Sequence, residues 1–317
     1  MLPSLDNYVS YGTDVVASSS DLQARLFDII ETVMKSDRVG EADRVCACKL
    51  AEAVMLHGRG KVDGMIPGFI SLAAAYLLVD DAIQTSSFLV YSLEVILNAL
   101  HYNPVITLNV LEQYKWTEGI FTSLLQNSGK FTRVHDKKLY ILGLTAVLSV
   151  PAEQLPGNML GGMGQLFQGI IHTFRTYGTA VEARNSVEKL YDGEDDLDDD
   201  YDNLDGEFDW DENEDDDSGA FENGDENDDD ADDHENEFLK QLAGKASKAL
   251  GSDGDDDDGS FGSDDDYDDG LEEEFSLETP LDNINAYIFF QEKFAEIQNA
   301  NQDVYLAAVQ GLNQDNC

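Results

Sequence analysis

Cysteine is nearly missing from this chain: Cys46, Cys48 and Cys317 are the three in 317 residues. So sparse and odd a set excludes a secreted disulfide framework and points to a reducing compartment. Basic residues are scarce too, 19 Lys and Arg against 65 Asp and Glu, for a formal net charge of -46. A polyanion repels nucleic acid and anionic lipid, so neither direct nucleic-acid binding nor membrane attachment is expected. Apolar runs such as Phe69 to Val79 fall short of the ~20 residues that span a bilayer, and they have helical patterning. No basic n-region followed by an apolar h-region opens the chain, so no signal peptide is expected. No window sustains the period-2 alternation of a strand. The reading that survives is an intracellular, soluble, all-α protein.

The charge is concentrated. Asp192 to Glu278 holds 41 of the 65 acidic residues and three basic ones, Lys240, Lys245 and Lys248, a net of -38. The remainder holds 24 acidic and 16 basic residues, a net of -8. A like-charge block lacks the apolar area needed to offset backbone entropy, ~1–2 kcal/mol per residue, and is expected to be disordered. The chain therefore divides into a helical-repeat region over 1–190, an acidic disordered loop over 191–279, and a C-terminal helix pair over 280–317 that packs back on the repeats. Within the loop, Phe238, Leu239, Leu242, Ala246 and Leu250 give Glu235 to Leu250 the spacing of a transient helix.

Helical stripes succeed one another before the loop. Ser20, with Gln23 three residues on, predicts a capping box ahead of Leu22, Leu26, Ile29, Ile30 and Val33. Cys46, Leu50, Ala53, Val54 and His57 form the next stripe, stopped at Gly58-Arg59-Gly60 by a glycine with positive φ. Val62, Ile66, Phe69, Ile70, Ala73 and Leu77 follow, with Pro67 early in the helix. Leu89, Leu93, Ile96, Leu97 and Leu100 come next. Asn103-Pro104 reads as N-cap plus N1 of a helix through Leu108 and Leu111. Ile120, Phe121, Leu124 and Leu125 make a short helix. Leu139 to Val150 is apolar all round, so a buried helix ending before Pro151 is expected. The longest stripe runs from Met159 through Met163, Phe167, Ile170 and Phe174 to Tyr177. Beyond the loop, Leu281 to Asn299 and Gln302 to Leu312 read as a closing pair with Tyr287, Phe290, Phe294 and Tyr305. Helices of this length, paired near every 40 residues, fit a HEAT-type solenoid, and a compact bundle fits them as well.

Chemical motifs are weak. Asp264, Asp266 and Asp268 match the first EF-hand positions, but Asp269 stands where that loop needs glycine. Cys46 and Cys48 lack the paired ligands a zinc site requires, and neutral thiols are expected. The histidines show no partner at motif spacing, and His135-Asp136 reads as a helix start. Gly161-Gly162-Met163-Gly164 lacks a phosphate-loop lysine and reads as close helix packing. No catalytic residue, metal or cofactor is assigned. The residues expected to hold a basic partner lie in the loop: Phe208, Asp209, Trp210, Asp211, Glu212, Glu214, Asp215, Asp216, Asp217, Asp228, Asp229 and Asp230. Aromatics in an acidic background, Tyr201 and Phe221 among them, would hold basic-hydrophobic segments or dock inside the repeats. Ser252 and Ser263 each have an aspartate three residues on, the pattern of acidophilic kinase sites.

Several stretches resemble the importin-seven and importin-eight branch of the importin-β superfamily. Gly58-Arg59-Gly60-Lys61-Val62-Asp63-Gly64-Met65-Ile66-Pro67-Gly68-Phe69 looks like that branch's glycine-basic turn and following helix. Ala99-Leu100-His101-Tyr102-Asn103-Pro104 and Val134-His135-Asp136-Lys137-Lys138-Leu139 through Gly143-Leu144 are similar to two further elements. Phe294-Ala295-Glu296-Ile297-Gln298-Asn299 and Gly311-Leu312-Asn313 resemble the family's closing helices, with the acidic insertion in its expected place. The match starts near residue 20. The family is much longer, its Ran-binding repeats lie upstream, and it continues past the element at Gly311. This implies the C-terminal part of a receptor, present here as a fragment, a truncated gene model or a shortened paralogue.

The resemblance implies a non-enzymatic cargo-binding scaffold in cytoplasm and nucleus, including the nuclear envelope and pore. Its basic cargo would be ribosomal proteins or histones, with nucleoporins and Ran as partners of the full-length receptor. An acidic histone-chaperone-like or assembly scaffold without a transport role is the alternative. An enzyme is a third class that no motif supports.

Overall fold

The computed structural model describes residues 2–79, 81–157, 159–191 and 279–310, the side chains of 187–191 excepted. The chain divides into two compact units, Met1–Ala180 with Ser263–Cys317, and Val181–Gly262. Of the second unit only 181–191 is described, as the end of a long helix.

Twelve α-helices and no strand occur among the described residues. They are α1 (Leu2–Tyr11), α2 (Thr13–Ser18), α3 (Ser20–Lys35), α4 (Glu41–His57), α5 (Ile66–Leu77), α6 (Ser86–Tyr102), α7 (Pro104–Gln113), α8 (Thr117–Gln126), α9 (Val134–Leu148), α10 (Met159–Tyr191), α11 (Ala286–Ala300) and α12 (Gln302–Gln310). Helices α4, α6 and α9 begin at residues 41, 86 and 134, steps of 45 and 48. In the first unit α4 packs on α6, α6 on α9, and α9 on α11, while α5 touches α3, α7 and α8. This is the HEAT-type stack, in which each pair covers the apolar face of the next.

Polar ties recur at a similar, slightly shorter spacing. Tyr76 donates its hydroxyl hydrogen to Met34 O, and Glu41 accepts from the backbone N–H groups of Gln84 and Thr85, both at 2.8 Å. Lys137 Nζ reaches Thr176 Oγ1 at 3.2 Å. These bonds join residues 39 to 44 positions apart, close to one repeat length.

Local rules account for most ends. Asn103 Oδ1 accepts from Ile106 N at 3.1 Å, and Pro104 stands first in α7. Pro67 sits in the first turn of α5. Helix α9 is largely buried from Leu139 to its end at Leu148, and Val150, also buried, follows just before Pro151. Gly143 lets α6 and α9 approach: a Cβ there would stand 2.8 Å from Leu97 O.

Three readings change. The cap of α3 is Ser19, which accepts from Leu22 N, and Gln23 instead donates to the carbonyls of Val16 and Ala17. The face of α3 is accordingly Leu26, Ile30 and Met34, with Ile29 37% exposed. The positive φ expected in the glycine turn after α4 is found at Gly60, 74°. Gly161 and Gly162 border open space, so they do not serve close packing. Helices α1 and α2, ahead of the first stripe, bury Val9 and Val16, and α1 lies on α4.

The closing pair docks through aromatic rings. Phe167 stacks on Phe294 at 4.9 Å between centroids and Phe174 on Tyr287 at 4.7 Å. Asn301 Nδ2 donates to Val150 O at 2.8 Å. Helix α11 starts at Ala286, not Leu281, because Asn285 caps it and Pro280–Asn283 forms a separate 3-10 turn.

Candidate functional site

Each of the loop residues expected to hold cargo, from Phe208 to Asp230, lies outside the described residues, as do Ser252 and Ser263. What the structure shows is where the chain returns from the acidic run. Thr279 Oγ1 accepts from Leu281 N at 3.3 Å, and Asp282 Oδ2 accepts from Thr279 N at 2.7 Å, which closes the turn. The turn packs against α4 and α9. Leu281 is 1% exposed, and its carbonyl accepts from Lys138 Nζ at 3.0 Å.

Around this anchor, the three stacked helices α4, α6 and α9 contribute a charged cluster. Tyr91 and Glu94 on α6 lie 42 residues after Lys49 and Glu52 on α4 and 42 before Arg133 and Asp136 at the start of α9. Lys49 Nζ stands 4.8 Å from the Tyr91 ring centroid and the Arg133 guanidinium 4.7 Å from it, so two cations lie against one ring. Arg133 also donates to the Tyr91 hydroxyl, pairs with Asp136 at 2.7 Å, and faces Glu94 at 3.4 Å. His135 Nε2 meets Glu52 Oε1 at 2.5 Å, joining α9 directly to α4.

Burial and the neighbouring Asp136 push the Glu94 carboxyl well above its ordinary range. Burial acts the same way on Asp136, but Arg133 overrides it and holds that carboxyl low. Glu94 is therefore the member that keeps a proton, and its carboxyl is hydrogen-bonded to Asp136. For His135, burial works against protonation and Glu52 outweighs it, so its pKa is raised. The chemistry of this set is charge pairing and backbone recognition, with the cations and anions engaged by one another. His135-Asp136 does open α9, as its sequence suggests, but its partners could not be found at motif spacing. The available signal was the echo of charged residues at the 42-residue step.

Cys46 is exposed and Cys48 buried, and burial pushes the Cys48 thiol up to about 12, so the two do not form a ligand pair. Among the described residues no group of three or more His, Cys, Asp or Glu could hold a metal ion, and no helix is long and apolar enough to cross a membrane.

A HEAT-type stack with a polar inner face defines a helical-repeat scaffold. Comparison narrows the class. The chain is 31% identical over 324 residues to the importin beta-like SAD2 homolog of Arabidopsis thaliana, covering 99% of this chain and 29% of that relative. It is 27% identical over 336 residues to importin-8 of Danio rerio, again 99% of this chain and 29% of the relative. A probable importin-7 homolog of Dictyostelium discoideum is 32% identical over 148 residues, 46% of this chain and 14% of that protein. No protein-family model and no solved structure matches the chain. The chain is thus similar to importins of the importin-β family, importin-7 and importin-8 homologues among them. It spans under a third of the length of the two relatives that it matches throughout.

Proposed function

We propose that this chain is the cargo-binding part of a nuclear import receptor that carries basic proteins into the nucleus. The observation that supports this most is the similarity to importins over 99% of the chain, on both sides of an acidic run of net charge -38. The repeats supply a stacked scaffold, and the run from 191 to 279 supplies a polyanion anchored at Thr279. Ribosomal proteins or histones would be drawn in by long-range attraction and shielded from nucleic acid. The aromatics Phe208 and Trp210 would add local contacts to the surrounding carboxylates. In the full-length receptor the partners would be nucleoporins and Ran, with shuttling between cytoplasm and nucleus through the pore. Phosphorylation at Ser252 and Ser263 would add about -1.5 to -2 charge per site, a tuning of affinity and not a switch.

The test is binding of a linker histone or a basic ribosomal protein at increasing salt. The Debye length falls from about 8 Å at 0.15 M to about 3 Å at 1 M, so affinity should fall steeply. Changing Asp to Asn across Asp211 to Asp217 and Asp225 to Asp233 should weaken binding progressively, with no single residue dominant. Salt-insensitive binding, or none lost on neutralising the run, would move cargo recognition to the helices. Binding of basic proteins by the full-length protein without binding of Phe-Gly repeats or Ran would favour an acidic chaperone instead.

A further inference from the structure

Helix α7 ends in a Schellman turn. Lys115 N donates to Glu112 O at 3.0 Å and Trp116 N to Leu111 O at 2.8 Å, the two bonds that close such a turn. Its left-handed position commonly holds glycine, and here it holds Lys115, at φ 60°. The reversal brings together the side chains that flank Lys115. The rings of Tyr114 and Trp116 stack, with centroids 4.5 Å apart and planes 19° from parallel.

The turn accounts for one of these rings. A Schellman turn is often accompanied by an apolar contact between the positions that Leu111 and Trp116 occupy, and Leu111 is buried and Trp116 half-buried. Tyr114 lies outside that scheme and is 51% exposed. Trp116 covers one face of its ring and leaves the other to solvent. A carboxylate is fixed beside the stack: Thr117 Oγ1 donates to Glu112 Oε2 at 3.1 Å, while Glu112 Oε1 has no partner among the described residues. Lys115 and Glu118 are the other charged residues of the turn, both exposed and neither in an ion pair among the described residues. Two carboxylates and one ammonium leave the turn with one negative charge in excess. An open aromatic face beside a spare carboxylate suits a guanidinium, which stacks on the first as a plane and donates to the second.

We propose that Tyr114, Trp116 and Glu112 form a seat for an arginine side chain of a basic protein. The guanidinium would lie on the open face of Tyr114 and donate to Glu112 Oε1. A lysine ammonium is a compact, strongly hydrated point charge with no plane to stack, so the seat would choose arginine over lysine. The acidic run makes no such choice, because its carboxylates attract either cation at a distance. The inference rests on the cargo reading above only for the class of partner, and it adds a fixed contact on the helices. Lys115 is the one like charge at the seat, so removing it should favour the ligand.

The experiment uses the full chain and two fluorescein-labelled peptides, one of alternating arginine and alanine and one with lysine in place of arginine. Anisotropy is read at 0.5 M NaCl, which suppresses long-range attraction. The arginine peptide should bind about 2–5-fold tighter than the lysine peptide. Tyr114→Leu, which keeps an apolar side chain without a ring, and Glu112→Gln should each remove most of that preference. Lys115→Gly, which keeps the left-handed backbone, should tighten binding of the arginine peptide. Circular dichroism and a melting curve check that each variant is folded, and should Tyr114→Leu not fold, Glu112→Gln decides. In a chain with Asp changed to Asn across Asp211 to Asp217 and Asp225 to Asp233, both peptides should bind more weakly while the arginine preference persists. No preference in the wild type, or a preference untouched by Tyr114→Leu and Glu112→Gln, would overturn the seat and leave the cargo reading standing. Binding that ignores neutralisation of the acidic run, with the preference intact, would overturn the cargo reading and uphold the seat.

Discussion

Arg133 is the residue whose loss should damage the helical block most through charge alone. Its side chain is 17% exposed, and its partners Asp136 and Glu94 are 2% and 0% exposed. Replacing it by methionine keeps much of the stem and removes the guanidinium. A solvent-exposed ion pair is worth about 0–1 kcal/mol, but breaking a buried one costs about 3–5 kcal/mol, because the partner stays buried without compensation. Glu94 softens the loss, since burial and Asp136 already favour its protonated form. The penalty falls on Asp136, whose carboxyl Arg133 holds low. The lower end, about 3 kcal/mol, is therefore expected. At about 2–4 °C per kcal/mol for a block of this size, the melting midpoint should drop by about 6–12 °C.

The pH dependence gives a second handle. In the wild type the folded pKa of Asp136 is depressed, so its contribution is present above the unfolded value of about 3.9 and is lost as pH falls through the folded value. In Arg133→Met that depression disappears, and lowering the pH protonates Asp136 and relieves the unpaired charge. The gap between the two proteins should narrow from pH 7 to pH 4. The double change Arg133→Met with Asp136→Leu should recover most of the loss, because an apolar replacement leaves no orphaned ion. A loss under about 1 kcal/mol at pH 7, or a gap that ignores pH, would refute the argument by showing that the cluster behaves as a solvated surface.

Two further outcomes follow from the same geometry. His135 has a raised folded pKa, so its contribution is fully present below the unfolded value of about 6.5 and is lost as pH rises through the folded one; the stability difference between wild type and His135→Gln should shrink from pH 6 to pH 9 in urea denaturation. Gly143→Ala would place a Cβ 2.8 Å from a backbone oxygen, Leu97 O, and should cost about 1–3 kcal/mol by separating α6 from α9, seen as a lower denaturation midpoint.

Helix-level structure was legible where one local rule acts alone. Asn103-Pro104 capped and opened α7 as read, and the all-round apolar run from Leu139 forms the buried later part of α9, which begins earlier, at Val134, and ends at Leu148. Errors arose where two rules competed within a residue or two. Ser19 and Ser20 can both cap, and the extended backbone of Ser19 decides between them. Leu281 continues an apolar pattern toward α11, but Pro280 and the Asn285 cap split the stretch into a turn and a helix. Gly161 and Gly162 looked like packing residues, yet close approaches fall at other glycines, such as Gly68, Gly143 and Gly169, where a Cβ would meet Phe27, Leu97 O or Tyr140 Oη within 3 Å. The inner-face cluster was not legible by motif spacing, because Glu52 and His135 lie 83 positions apart and Glu94 and Arg133 39 apart.

That cluster changes how the repeats depend on one another. In a solenoid each repeat touches its neighbours, and stability is approximately a sum of repeat and nearest-neighbour terms. The contacts of α4 with α6 and of α6 with α9 obey that scheme. Glu52–His135 does not, since it joins α4 to α9 past the helix between them. The turn Pro280–Asn283 touches the same two helices from a point in sequence well beyond both. Glu94 beneath them keeps its proton only while it stays buried, and Arg133 is sequestered only while Glu94, Asp136 and Tyr91 surround it. Opening any one of α4, α6 or α9 would therefore expose or orphan charges on the other two. The coupling is electrostatic as well as apolar, and it runs through the residues that receive the chain as it returns from the acidic run. The acidic run is thereby joined, at Thr279, to the part of the scaffold least able to yield repeat by repeat.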